Sequence, residues 1–148
     1  MSILVNETRK LFLLSTETTS YGFEVSAAGA LLHLYWGAKL DRPEDLPYGE
    51  QQQFNDFQQP EKKLLVNQEY PASGGYFYEE PCLKATFANG CRDTKLFYHS
   101  HAIQRENGAE TLSITLREEV YPLQVTLFYR IYDGLDVLDR WAEIINTG

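Results

Sequence analysis

The run GALLHLYWG, residues 29 to 37, sets an apolar stretch between two glycines and places one histidine and two aromatics inside it. Strand side chains alternate sides residue by residue. Leu32, Leu34 and Trp36 are therefore expected on one face, and Leu31, His33 and Tyr35 on the other. On that count Trp36 belongs to the core and His33 to the second face, and neither is a ligand-binding group.

The same period of two runs outward in both directions. RKLFLLST and SYGFEVSA precede the run as short segments rich in β-branched and aromatic residues, with a Thr/Ser cluster between them. After it, CLKATFANGCRDTKLFY carries Asn89-Gly90, a dipeptide suited to the type I′ hairpin turn. Such a turn pairs Ala88 with Cys91 and puts Cys82 opposite Phe97, so a Cys82–Cys91 disulfide is not expected. TLSITLRE and LQVTLFYRIY form a further hairpin around EEVYP, and Asp133-Gly134 leads into LDVLDRWAEII. There is no long helix, no internal repeat and no low-complexity tract. The expected fold is an all-β antiparallel sandwich, which also accounts for the 14% aromatic content, since inter-sheet packing consumes aromatics. One stretch departs from this pattern. Lys39 to Tyr70 is dense in Gln, Pro and acidic residues, and its plainest reading is a solvated excursion.

Bulk properties exclude several classes of function. The 148 residues suit one domain, and the net charge of -8 offers no footprint for nucleic acid or an anionic membrane. No apolar stretch approaches the ~20 residues of a membrane span, and MSILVNETRK is not a secretory leader. A soluble cytoplasmic protein is expected. Its Asn6-Glu7-Thr8 sequon would then be unused and its two cysteines reduced.

Candidate chemistry is sparse. His99 and His101, two apart on a strand, would share a face as a metal site on a sheet requires, but no third ligand accompanies them. Glu79-Glu80 and Glu118-Glu119 are adjacent and hence on opposite faces, the wrong arrangement for carboxylates flanking one glycosidic bond. Asp133, Asp136 and Asp139 cluster at a turn, where aspartate caps backbone groups. No serine elbow, phosphate-binding loop or dinucleotide fingerprint occurs. No catalytic residue, metal ligand or cofactor is therefore assigned.

The runs FLLSTETTSYGFEV, GALLHLYWG, EYPASGGYFYEEP, DTKLFYHSHAI and TLSITLREEVYPLQVTLFYRIYDGLDVLDRWAEIINTG resemble, in order, the N-terminal domain of microbial α-galactosidases of glycoside hydrolase family 36. The most specific piece is Gly29, Leu31, His33, Leu34, Tyr35 and Gly37, supported by Tyr98-His99-Ser100-His101 and the final Asn-Thr-Gly. The resemblance implies a β-supersandwich similar to galactose mutarotase, followed in the family by a (β/α)8 barrel. Retaining hydrolysis there uses two barrel aspartates, a nucleophile and an acid/base. Residues 1–148 would then be a truncated N-terminal domain without the barrel, inactive alone. An α-galactoside oligosaccharide would be bound through the missing barrel, and the full-length enzyme would be a homo-oligomer.

The resemblance carries one residue over. In the family an acidic pair in the loop after the H-L-Y-x-G strand sends an aspartate to the sugar pocket. Glu44 and Asp45 match the pair, so Asp45 is the candidate substrate contact. The chain also departs from the family's G-x-G-D-F-R-x-P run. Gly74 and Pro81 are kept, but Phe77 stands in place of the aspartate and Glu79 in place of the arginine, which removes an ion pair or a contact to a neighbouring domain or subunit. Two other readings stay open: a free-standing carbohydrate-binding sandwich using exposed Tyr and Trp, and an aldose-epimerase-like enzyme with His99 or His101 as general acid or base.

Overall fold

The computed structural model describes residues 1–47, 67–74 and 80–148. The Phe77 and Glu79 departures, and Glu79 of the Glu79-Glu80 pair, lie outside them. Two antiparallel four-stranded sheets account for every strand among the described residues. The first is a meander of β1 (Ser2–Asn6), β2 (Leu11–Ser15), β3 (Thr19–Val25) and β4 (Leu31–Ala38). The second is a meander of β5 (Leu96–Glu106), β6 (Ala109–Glu118), β7 (Leu123–Tyr132) and β8 (Leu138–Asn146). The expected all-β antiparallel fold is what forms. No helix among the described residues is long and apolar enough to cross a membrane.

The main core lies between the sheets. Phe12, Leu14, Tyr21, Phe23 and Leu31 from the first sheet meet Leu112, Ile114, Leu116, Val125, Leu127, Tyr129 and Ile131 from the second. Aromatics contribute to the inter-sheet packing, with Phe23 against Tyr129 at 5.0 Å, while Phe12 stacks on its cross-strand partner Phe23 at 5.2 Å. A second, smaller core lies on the outer face of the first sheet, where Leu11 and Leu13 are covered by Leu46 and flanked by Leu34, Tyr35 and Leu40. β2 is thus buried on both faces, which explains its uninterrupted apolar run.

Period-two counting fails at two β-bulges. In β4, Gly22 pairs with Tyr35 and Phe23 with His33, leaving Leu34 as an extra residue. Beyond it the phase reverses. Leu31 pairs with Val25, His33 with Phe23 and Trp36 with Tyr21, so all three face inward, which corrects the expected split. Trp36 is not a core residue either. At 69% exposed it projects past the cover of the second sheet, with its ring edge against Tyr21.

The second bulge is in β5, where Tyr98 pairs with Leu116 and Ser100 with Thr115, so His99 is the extra residue. Tyr98 and His101 share the inner face, whereas His99 points to solvent. The two histidines do not share a face, contrary to the spacing argument.

The turns also fall differently. The type I′ signature, positive φ at both central residues, belongs to Asn107 (52°) and Gly108 (75°), which join β5 to β6. At Asn89-Gly90 only Gly90 has positive φ, and the chain closes with Gly90 N–H donating to Phe87 O at 2.8 Å and Phe87 N–H to Cys91 O at 2.9 Å. That is a three-residue connection, and the ladder does not continue from it. Cys82 N–H donates to Pro71 O and Phe97 pairs with Arg117, so Cys82 is not opposite Phe97. Both cysteines are free, as expected.

Candidate functional site

Two constellations stand out, one at each end of the Lys39–Tyr70 connection. The first is a single 3-10 turn, Pro43–Asp45, following β4. Proline at its start supplies the required φ, and the turn closes through Asp45 N–H to Arg42 O at 3.1 Å and Leu46 N–H to Pro43 O at 3.2 Å. Pro43 and Leu46 are buried, while Arg42, Glu44 and Asp45 face solvent. Glu44 accepts a hydrogen bond from Asn6 Nδ2 at 2.6 Å, which clasps the turn to the end of β1. The Arg42 guanidinium forks onto Asp45, Nη2 to Oδ1 at 2.9 Å and Nε to Oδ2 at 3.4 Å. That hydrogen bond holds the Asp45 carboxyl below the usual aspartate range. Asp45 is therefore a charged acceptor with lone pairs left for an incoming hydroxyl.

The second constellation was not foreseen. Glu69, whose side chain is 1% exposed, gathers donors from both sheets. Tyr21 Oη donates at 2.7 Å to Oε1 and 2.9 Å to Oε2, and Tyr129 Oη donates at 3.1 Å. Arg140 Nη2 lies 2.6 Å from Oε1, and His33 Nδ1 3.2 Å from Oε2. The Arg140 guanidinium also stacks over the Tyr21 and Tyr129 rings, 5.4 Å from each centroid. Burial, and then the Glu69 charge, push both phenols well above the normal tyrosine range, so they remain donors at any physiological pH.

One signal for this cluster was present in the sequence. Arg140 occupies an inward register position on β8, in phase with Leu138, Ala142 and Ile144. A charge there needs a buried partner. The segment expected as a solvated excursion is thus anchored at both described ends, by Leu46 and by Glu69, which corrects that reading for those ends; residues 48–66 lie outside the described residues.

The remaining candidates are structural. His101 shares a hydrogen bond between its Nδ1 and Tyr98 Oη (2.7 Å), sets its Nε2 3.2 Å from the acceptor Glu7 Oε1, and packs edge-on against Phe12. Asp136 accepts from Thr16 Oγ1 at 2.6 Å, Thr18 N–H at 2.7 Å and Thr18 Oγ1 at 2.9 Å, capping the β2–β3 turn from the opposite sheet. Asp139 accepts from Tyr132 Oη, and Asp133 lies 3.5 Å from Arg105. Glu118 accepts from the Val120 and Tyr121 amides, and Glu80 pairs with Lys84. Among the described residues no three His, Cys, Asp or Glu side chains converge as a metal site would require.

A family model described as the glycosyl hydrolase family 36 N-terminal domain matches residues 29–148. The chain belongs to that family. This family 36 domain is 30% identical to the bifunctional alpha-galactosidase/sucrose kinase AgaSK of Mediterraneibacter gnavus, over 100% of the chain and 18% of that protein. Its fold matches the crystal structure of the alpha-galactosidase AgaB from Geobacillus stearothermophilus with a TM-score of 0.79 and 29% identity, covering 100% of this chain and 23% of that one. It also matches a variant of AgaA from the same organism in complex with raffinose, with a TM-score of 0.74, 29% identity, and 94% and 22% coverage. The family 36 domain thus spans about a fifth of the length of these relatives. The strand bearing His33, the turn bearing Asp45, and Glu69, Tyr129 and Arg140 all fall within the matched residues; Tyr21 precedes them.

Proposed function

We propose that this chain is a non-catalytic N-terminal part of an α-galactosidase, a truncated β-supersandwich whose parent enzyme removes terminal α-galactose from oligosaccharides with retention. The observation that carries the reading is the match to the family 36 N-terminal domain, together with coverage of only 18 to 23% of the α-galactosidases matched. The two reacting carboxylates would be supplied by the parent's barrel. Asp45 would lend its carboxylate to the edge of the sugar pocket, in support of which it is exposed, charged and hydrogen-bonded to Arg42. The parent enzyme would be a cytoplasmic homo-oligomer; the free thiols of Cys82 and Cys91 agree with a reducing compartment.

Galactose release from raffinose tests the activity. The isolated chain should release none and the parent enzyme should release it, whereas hydrolysis by the chain alone overturns the reading. In the parent enzyme, Asp45→Asn should raise KM about tenfold, the effect of losing one charge-assisted hydrogen bond. Sedimentation of the parent enzyme as a monomer would overturn the oligomer.

The free-standing carbohydrate-binding reading has one observation in its favour, the exposed Trp36 indole beside His33 and Arg140 around the Tyr21 ring. Calorimetry of galactose against the chain and against Trp36→Ala decides it: binding lost in the variant supports that reading, and absence of binding removes it.

A further inference from the structure

We infer that Leu46 is a positioning residue for Asp45, seated in a socket that exists because residue 22 is glycine. The inference rests on the reading of Asp45 as a sugar contact. Leu46 follows Asp45 directly and is 4% exposed, in a loop whose neighbours on either side face solvent. Its side chain drops onto the outer face of the first sheet against Leu11 and Leu13. The floor of the socket is Gly22. A Cβ built there would lie 2.2 Å from Leu46 Cδ2, 3.0 Å from Cδ1 and 3.1 Å from Cγ, far inside van der Waals contact. Gly22 also adjoins the β4 bulge, so the sheet is locally re-aimed just under the plug.

The other restraints on Asp45 are weaker. Arg42 is 71% exposed, and an exposed ion pair three residues away holds an orientation only loosely. The Glu44–Asn6 clasp also lies at the surface. Leu46, like Pro43 at the start of the turn, is buried and cannot be hydrated away, and it is the one of the two that packs into the Leu11–Leu13 core. Its insertion fixes the height and azimuth of the turn over the sheet, and with them the place where the Asp45 carboxylate stands. Sub-ångström placement matters to a group contacting a reacting substrate, and a displacement of about 1 Å can lower efficiency by about two orders of magnitude.

The test uses the parent enzyme with raffinose as probe, measuring kcat, KM and the thermal midpoint for Asp45→Asn, Leu46→Ala, Leu46→Met, Gly22→Ala and the double variant Asp45→Asn/Leu46→Ala. Leu46→Ala should move the same kinetic parameter as Asp45→Asn, about tenfold in KM. Leu46→Met, which conserves volume, should restore it. Gly22→Ala lifts the plug without opening a cavity and should reproduce the shift, so the test survives if Leu46→Ala does not fold. The double variant should be no worse than Asp45→Asn, because both changes act through one carboxylate. If Asp45→Asn is impaired while Leu46→Ala and Gly22→Ala lower only the thermal midpoint, or if the two effects add, the inference is overturned and the reading of Asp45 stands. If Asp45→Asn changes neither kinetic parameter, the reading of Asp45 falls and the inference with it.

Discussion

Arg140 Nη2 meets Glu69 Oε1 at 2.6 Å and thereby ties the segment lying along β4, the outer strand of the first sheet, to β8, the outer strand of the second. Glu69 sits one residue past the Leu32–Gln68 bridge beside β4, and Arg140 is on β8. Removing Arg140 leaves a carboxylate with a 1% exposed side chain without its cation. Arg140→Ala should therefore destabilise the chain by about 3 kcal/mol. Arg140→Lys should recover only part, because an ammonium cannot both reach the carboxylate and lie flat over two phenol rings. Urea unfolding followed by circular dichroism measures both; equal midpoints for Arg140→Ala and the unmodified chain would show that the pair does not stabilise the fold.

Legibility followed the regular pairing. GALLHLYWG did mark a strand, and the meanders were readable because apolar residues recur every second position on β6 and β7. The faces of His33, Trp36, His99 and His101 were lost because each bulge inserts one residue that leaves no mark on composition. Leu34 looks like any strand leucine, and only its partner's register reveals it as extra. The Glu69 cluster left only the phase of Arg140 as a trace, for a different reason. Its five members come from separate parts of the chain, and burial of Glu69 is decided by the donors, not by its neighbours in sequence. Asp45 was reached only through family resemblance, as nothing local distinguishes it from Asp41.

Trp36 should be nearly dispensable for stability. A core tryptophan costs about 3–5 kcal/mol when truncated, whereas Trp36 is 69% exposed, and Trp36→Ala should cost below about 1 kcal/mol. Thermal unfolding of the variant checks this directly. A loss of core size would mean that the Trp36 indole is covered in solution and not exposed.

Acid should reveal Asp136. Hydrogen bonds from Thr16 Oγ1, foremost, and then the Thr18 amide hold its carboxyl down to about 2. An unfolded aspartate titrates at about 3.9. The folded state therefore binds this proton less readily than the unfolded state. The resulting stabilisation is complete above about pH 4 and is lost as pH falls toward 2. Asp136→Asn, which keeps an acceptor oxygen but no titration, should flatten the stability profile across that window. Denaturation midpoints at successive pH values from 2 to 5 would show it, and parallel profiles for the two proteins would assign the acid sensitivity elsewhere.

Gly108 should be less replaceable than its open surroundings suggest. Its φ of 75° lies where an L side chain is strained, although an added Cβ would meet only Asp133 Oδ2, at 3.7 Å. Gly108→Ala should cost about 1 kcal/mol from backbone conformation alone. Differential scanning calorimetry measures the loss, and an unchanged midpoint would mean that the β5–β6 turn adopts another geometry in solution.

In both meanders every strand pairs with its neighbour in sequence, so each sheet can assemble from successive hairpins before the other exists. Such local pairing closes short loops first and favours rapid formation of each half. On the ribosome the first sheet emerges whole while β5 to β8 are still being made, and its apolar face must wait for them. The long-range ties Thr16–Asp136 and Glu69–Arg140 are available only once the two layers have met.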